Sequence, residues 1–190
     1  MEAHVHDDKT FEDISYSEKQ INGKEFNDCV FKKCDFSNSE FLRCKFVDCI
    51  FDGCNLSMMK LPSTTLNNVV FKHCKMLGIN FSPCIDFLFS VRFESCLLDY
   101  SSFMGKKMPK TTFIKTTLKE VNFSGTNLPG SVFNDIDLNG AIFNQTDLSS
   151  ANFTTAYNYI IDPELNNVKR ATFSADSILG LLAKYDVRIG

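Results

Sequence analysis

The chain of 190 residues contains no tryptophan, only five prolines and no marked excess of either charge, with 20 Lys and Arg against 23 Asp and Glu and a net of −3. A domain that grips nucleic acid through its phosphates carries a strongly basic surface, so this balance argues against direct nucleic-acid binding. No apolar run approaches the ~18 residues needed to cross a bilayer, and Met1 to Thr10 is charged and lacks a signal-peptide core. A soluble, cytoplasmic protein with no membrane partner is expected. The P-loop, the glycine-rich dinucleotide fingerprint, G-x-S-x-G and H-E-x-x-H are also missing. These absences point away from an enzyme and suggest no cofactor.

Phenylalanine, by contrast, accounts for 19 residues. Stepping by five from Phe11 gives Tyr16, Ile21, Phe26, Phe31 and so on to Phe81, fifteen large apolar residues without a gap. Asp86 breaks the phase; a shift of two restores it at Leu88 and carries it through fourteen positions to Phe153. At a hydrophobic frequency of 44%, that many successes have a chance on the order of 10⁻¹⁰. Two residues before each centre the chain prefers a small or β-branched side chain, as at Cys29, Cys34, Ser39, Thr116 and Thr126. Turn formers follow the centre, as in Phe123-Ser-Gly and Leu138-Asn-Gly. A period of five fits neither a helix nor a strand, but it fits one short side of a four-sided coil.

Four sides predict a vertical repeat of 20 residues. Phe11, Phe31, Phe51, Phe71, Phe93, Phe113, Phe133, Phe153 and Phe173 obey it, with one 22-residue step at the phase shift, and form a predicted core column. Outside it, Glu12, Lys32, Asp52, Lys72 and Glu94 alternate in sign, as vertically adjacent strands favour. The segments Thr146-Asp-Leu-Ser-Ser and Ala151-Asn-Phe-Thr-Thr match the A-(D/N)-L-x-x units of the pentapeptide-repeat family, which the chain resembles over about residues 11–173. The resemblance implies an all-β fold, a right-handed quadrilateral β-helix. An N-terminal tail or cap (1–10) would precede it. A phase shift near 82–87 and an irregular loop at 156–167 would interrupt it, and a short capping or dimerisation helix and strand (174–190) would end it.

The eight cysteines include Cys29-x4-Cys34 and Cys44-x4-Cys49-x4-Cys54, loosely like zinc-ligand spacing. Every one of them, however, lies two before a centre or before the expected centre Asp86, so small-residue packing is the reading preferred to a metal site. His4 and His6 read as part of a solvated tail, and the Asn-x-Ser/Thr sequons arise from the repeat itself.

Residues 1–60 hold 8 basic and 12 acidic residues, 61–120 hold 8 and 4, and 121–190 hold 4 and 7. No Lys or Arg occurs within 121–168, where Asp135, Asp137, Asp147, Asp162 and Glu164 form a candidate acidic partner-binding surface. The lysines 106, 107, 110, 115 and 119 are expected to form a salt-bridged face, with Lys119 over Asp99 and Lys115 over Asp135. Ser174 is placed to cap a helix bearing Ile178, Leu179, Leu181, Leu182 and Tyr185, with Gly180 weakening it, and Val187 and Ile189 alternate like a strand. That ending is similar to those of the quinolone-resistance and microcin B17 immunity members of the family; few inserted loops favour the immunity type. The resemblance implies a non-enzymatic homodimer that binds a type II topoisomerase, DNA gyrase or topoisomerase IV, and protects it from a toxin or a quinolone, and the one-sign acidic coils read as a DNA mimic. A structural or adaptor solenoid for another protein partner is the alternative.

Overall fold

The structure, a computed structural model, describes residues 4–188. Its repeating event is a tight turn: the residue two after each centre adopts a left-handed conformation almost throughout, at 24 non-glycine and 7 glycine positions with positive φ, a few of them in irregular segments. Each such turn redirects the chain, so centres five apart point into the same interior from successive sides. Four turns close one coil of the solenoid, and the next coil lies on it in parallel register.

The fold's first face is a nine-stranded parallel sheet running from Thr10–Glu12 to Thr172–Phe173. Its register pairs Phe11 with Phe31, Phe51 with Phe71 and, across the two-residue slip, Phe71 with Phe93. All nine predicted phenylalanines stack, with centroids 4.4–5.4 Å apart and planes within 18°. The spacing follows from the roughly 4.8 Å separation of parallel strands. Each such pair contributes about 0.5–1.5 kcal/mol beyond the area it buries. The second and third faces, following centres Tyr16 and Ile21, are built largely from single bridges such as Asp35 to Asn55 and Ser102 to Asn122. The fourth carries a four-stranded sheet, Val5–Asp7, Glu25–Asn27, Lys45–Val47 and Thr65–Asn67.

Where Cys or Thr occupies the small position before a centre, its side chain bonds to backbone. Cys54 Sγ donates to the Phe31 carbonyl at 3.3 Å, Cys74 to Phe51 at 3.4 Å, and the Thr126 and Thr146 hydroxyls to Phe103 and Phe123 at 2.9 and 2.8 Å. Cys, Ser and Thr can thus reach back to the preceding coil, whereas Val69, Val121, Ala141 and Ala151 fill the same buried position without a donor, so a compact side chain that fits the interior is what most of these positions share. Asn166 reaches back with a longer side chain, donating to the Phe143 and Asp162 carbonyls at 3.2 and 3.0 Å.

Four expectations are corrected. The coil begins before residue 11: Val5–Asp7 pairs with Glu25–Asn27, and His6 takes a centre position, stacked on Phe26 at 5.1 Å. Leu88 does not resume the inward series; it is exposed and Phe89 is buried, because the two extra residues are absorbed in an outward bulge at Ile85–Leu88. The terminal helix is 3₁₀ rather than α, in two pieces, Ala175–Leu181 and Ala183–Tyr185. Ser174 does cap it, accepting from the Asp176 amide at 3.2 Å. Val187 and Arg188 form no strand, and Ile189 lies outside the described residues.

Candidate functional site

The five acidic residues nominated from the sequence are not gathered on one face. Asp137 bridges Thr117 and Tyr157 on the second face, whereas Asp147 bridges Asn127 and Asn167 on the fourth, two sides away. Asp135 is exposed at the turn between the first and second faces. Asp137 is half-buried and already paired: Lys119 Nζ lies 3.2 Å away and Asn158 Nδ2 2.9 Å away. These donors, with the Asn139 amide, overcome desolvation and hold its carboxyl below the usual range. Asp147 accepts from Asn127 and Asn167 at 3.1 and 2.9 Å. Asp162 and Glu164 come together under Lys184, whose ammonium is 2.8 and 2.7 Å from them and lowers both of their pKa values.

This lysine clamps the terminal 3₁₀ segment to the last coil. Tyr185 donates to Glu164 at 2.7 Å, and the Ile161 amide donates to the Gly180 carbonyl at 3.0 Å. Gly180, read from the sequence as a weak point, is required: a Cβ there would sit 2.1 Å from the Tyr159 carbonyl oxygen and under 3 Å from its ring. The predicted apolar stripe is split. Leu181 packs onto the core and Leu182 is half-buried, so these serve as a lid, while Ile178, Leu179, Tyr185 and Val187 face outward. Ile160 and Leu165 add exposed apolar surface at the same end.

At the opposite end nothing comparable exists among the described residues. The first coil opens into a cavity of about 400 Å³ lined by aromatic side chains including Phe11, Tyr16 and Phe26. Its small positions carry Lys9, Ile14, Lys19 and Lys24 instead of Cys, Ser or Thr.

The lysine-rich stretch also departs from expectation. Lys119 does reach toward Asp99, but through its backbone amide at 2.9 Å, and among the described residues no ion pair joins Lys115 to Asp135. Lys106 is not on a surface at all. It is 1% exposed and occupies the small position before Met108, the one charged residue at that position between Cys29 and Ala156. Its ammonium donates to the Cys84 carbonyl at 2.6 Å and to Asp86 at 2.5 Å and lies 5.0 Å above the Phe89 ring. It thus fills the vacancy left by the bulge. Its charge at a small position was the sequence signal that reveals it.

No group of His, Cys, Asp or Glu among the described residues is arranged to hold a metal ion. Burial pushes the Cys49 and Cys84 thiols up to about 12, which disfavours the thiolate needed for ligation or nucleophilic attack. No helix among the described residues is long and apolar enough to cross a membrane.

The fold matches full-length QnrB1, a plasmid-mediated fluoroquinolone resistance protein, with a TM-score of 0.61 at 16% identity, covering 94% of this chain and 100% of that one. A trypsin-treated variant of the same protein gives 0.50 at 21% identity, over 98% and 91%. HetL, a pentapeptide-repeat protein from the cyanobacterium Nostoc, gives 0.30 at 12% identity, over 88% and 87%, too slight a likeness to carry an argument. No curated protein matches in sequence. Family models for a pentapeptide repeat region and for pentapeptide repeats match residues 24–103 and 116–154. With five-residue sides, stacked centres and a left-handed turn at nearly every corner, the chain belongs to the pentapeptide-repeat family.

Proposed function

We propose that this protein is a non-enzymatic, dimeric binding protein that docks where a type II topoisomerase, DNA gyrase or topoisomerase IV, holds duplex DNA, protecting the enzyme from a toxin or a quinolone. The observation that carries the reading is the uniform sign of the coils from residue 121, where the 48 residues to Val168 include carboxylates and no Lys or Arg. Carboxylates on the second and fourth faces suit a partner that clasps the rod, because a duplex presents phosphate on all sides. Family membership and the end-to-end match to a fluoroquinolone resistance protein lend support. Dimerisation would use the exposed Ile178, Leu179, Tyr185 and Val187, with Ile160 and Leu165 beside them. Pairing at that end places two acidic segments around the centre of a longer rod.

The adaptor reading draws on one specific observation: Lys119 and Lys184 already neutralise part of the acidic set. A gyrase supercoiling assay with a poison, with and without the protein, separates the two. Restored supercoiling is expected, and loss of that protection is expected when Asp135, Asp137, Asp147, Asp162 and Glu164 become Asn or Gln. Unchanged topoisomerase binding by the folded, dimeric variant would reject the acidic surface. No protection and no binding by the parent would leave the adaptor.

A further inference from the structure

Besides Asp147, the fourth face carries a pattern that the proposed function does not use. Four coils precede the bulge on this face, with centres His6, Phe26, Phe46 and Leu66, and four follow it, with centres Met108, Leu128, Leu148 and Val168. The bulge is therefore at the midpoint. It is apolar and outward: Phe87 is 76% exposed, flanked by the exposed Ile85 and Leu88. Lys106 fixes its base from within, through Cys84 and Asp86. An exposed phenylalanine held on a braced projection marks a contact surface better than a floppy loop does.

Charge on the same face is graded from one end to the other. At the turn corner the first three coils place Asp8, Asp28 and Asp48, all exposed. After the bulge the equivalent corner carries Lys110 and, in the last coil, Arg170, with Lys169 beside it. We infer that the fourth face is a self-complementary interface for a second copy of this chain, packed side by side and antiparallel about a two-fold axis through the bulge and parallel to the strands.

That operation brings the first coil of one copy opposite the last coil of the other, so Asp8 meets Arg170 and Asp7 meets Lys169. The two apolar bulges meet at the centre, and Lys110 faces the amide of Asn68. One like-charge meeting results, Glu25 against Asp147, and both are already accommodated. Glu25 is paired with Lys45 at 3.0 Å and Asp147 accepts two asparagine amides. Packing the rods with the same polarity would instead oppose Glu25 to Asp28 and Lys107 to Lys110. Matching of each column to itself under a two-fold is the signature of an isologous contact, which an unrelated partner would not require.

This interface is distinct from the C-terminal pairing proposed above, and the full-length protein tests it independently. A spin label at Glu12→Cys, exposed on the neighbouring face of the first coil and outside the proposed contacts, reads the arrangement directly, the eight native thiols being buried. Antiparallel lateral pairing spans eight coil steps and gives a label-to-label distance near 40 Å, from about 4.8 Å per step. Pairing through the C-terminal end puts the labels about twice as far apart, and a parallel lateral pair leaves no axial offset and puts them within about 30 Å. Phe87→Ser, at a site too exposed to disturb folding, should weaken the 40 Å population by about tenfold or more. Arg170→Asp should do likewise, and Arg170→Asp with Asp8→Arg, read at the same label, should restore assembly. Absence of the 40 Å distance, or its persistence at full amplitude in Phe87→Ser, overturns the proposal.

Discussion

The two ends of the rod are built from the same repeat and finish differently. At the C-terminal end the chain breaks period, seats Tyr159 and Ile161 inside, and lays a 3₁₀ segment over them through Gly180 and Lys184. At the N-terminal end, His6, Phe11, Tyr16 and Ile21 top their columns and border an open cavity. In a solenoid each coil is stabilised by its neighbours, so an end coil without a lid keeps only half of its contacts. The comparison teaches that the identity of a centre residue matters less than how many coils cover it.

The harshest test places one charge in the same column at both ends. Phe153→Asp, beneath the lid and fully buried, should cost more than about 4 kcal/mol and give little folded protein, since an unpaired carboxylate replaces a stacked ring. Phe11→Asp, at the mouth and half-buried, should cost roughly 1–2 kcal/mol. Equal melting losses would break the comparison. A smaller effect is expected from Gly180→Ala, whose methyl meets Tyr159; about 2–3 kcal/mol, or a fall in Tm of roughly 4–12 °C, should appear on thermal unfolding. Loss of protection should centre on the Ile161 amide, read by hydrogen exchange, with the mouth unaffected.

Smaller again is the effect of acid on the clamp. Lys184 lowers the folded-state pKa values of Asp162 and Glu164. Their contribution is therefore complete above the unfolded values near 4 and is lost as pH falls through the lower folded ones. Titration below about pH 4 should loosen the lid before the central coils. Lys184→Met should remove most of the pH dependence of the Ile161 protection factor, taken relative to the intrinsic exchange rate at each pH, and if that dependence persists in full, the clamp is not its source. The least effect should come from the turns. Glu18→Gly near the mouth and Ser150→Gly near the lid both relieve a left-handed non-glycine residue, at φ 60° and 57°. Each should change stability by no more than about 1 kcal/mol and by the same amount, since the strain is local. Differential scanning calorimetry of the pair would sharpen the distinction between local and neighbour-dependent terms.

The period made the columns, the small positions and the 20-residue register legible, because each follows from a local rule repeated many times. The bulge was not legible: counting back five from Phe93 selects Leu88, yet Phe89 is apolar too, and only the path of the projection decides which turns inward. Lys106 was visible as an exception to the small position but looked like one of a run of surface lysines. The spread of acidic residues was within reach, since Asp137 and Asp147 lie ten apart, two sides of a square. The seating of the 3₁₀ segment uses the close approach of Gly180 to Tyr159, a tertiary fit that apolar spacing does not encode.

The parallel register has a consequence for how this chain acquires its shape. Almost every backbone bond between coils links residues about 20 apart, as in Ser15 to Asp35 and Asp147 to Asn167. Divided by the chain length, that separation is a relative contact order of about 0.1, in the range of helical bundles and below that of most sheet proteins. An all-β molecule should then fold at helical speed, growing coil upon coil from any nucleus of two. During synthesis that nucleus exists once about 40 residues have left the ribosome, so each coil can close on the previous one while the rest of the chain is still being made.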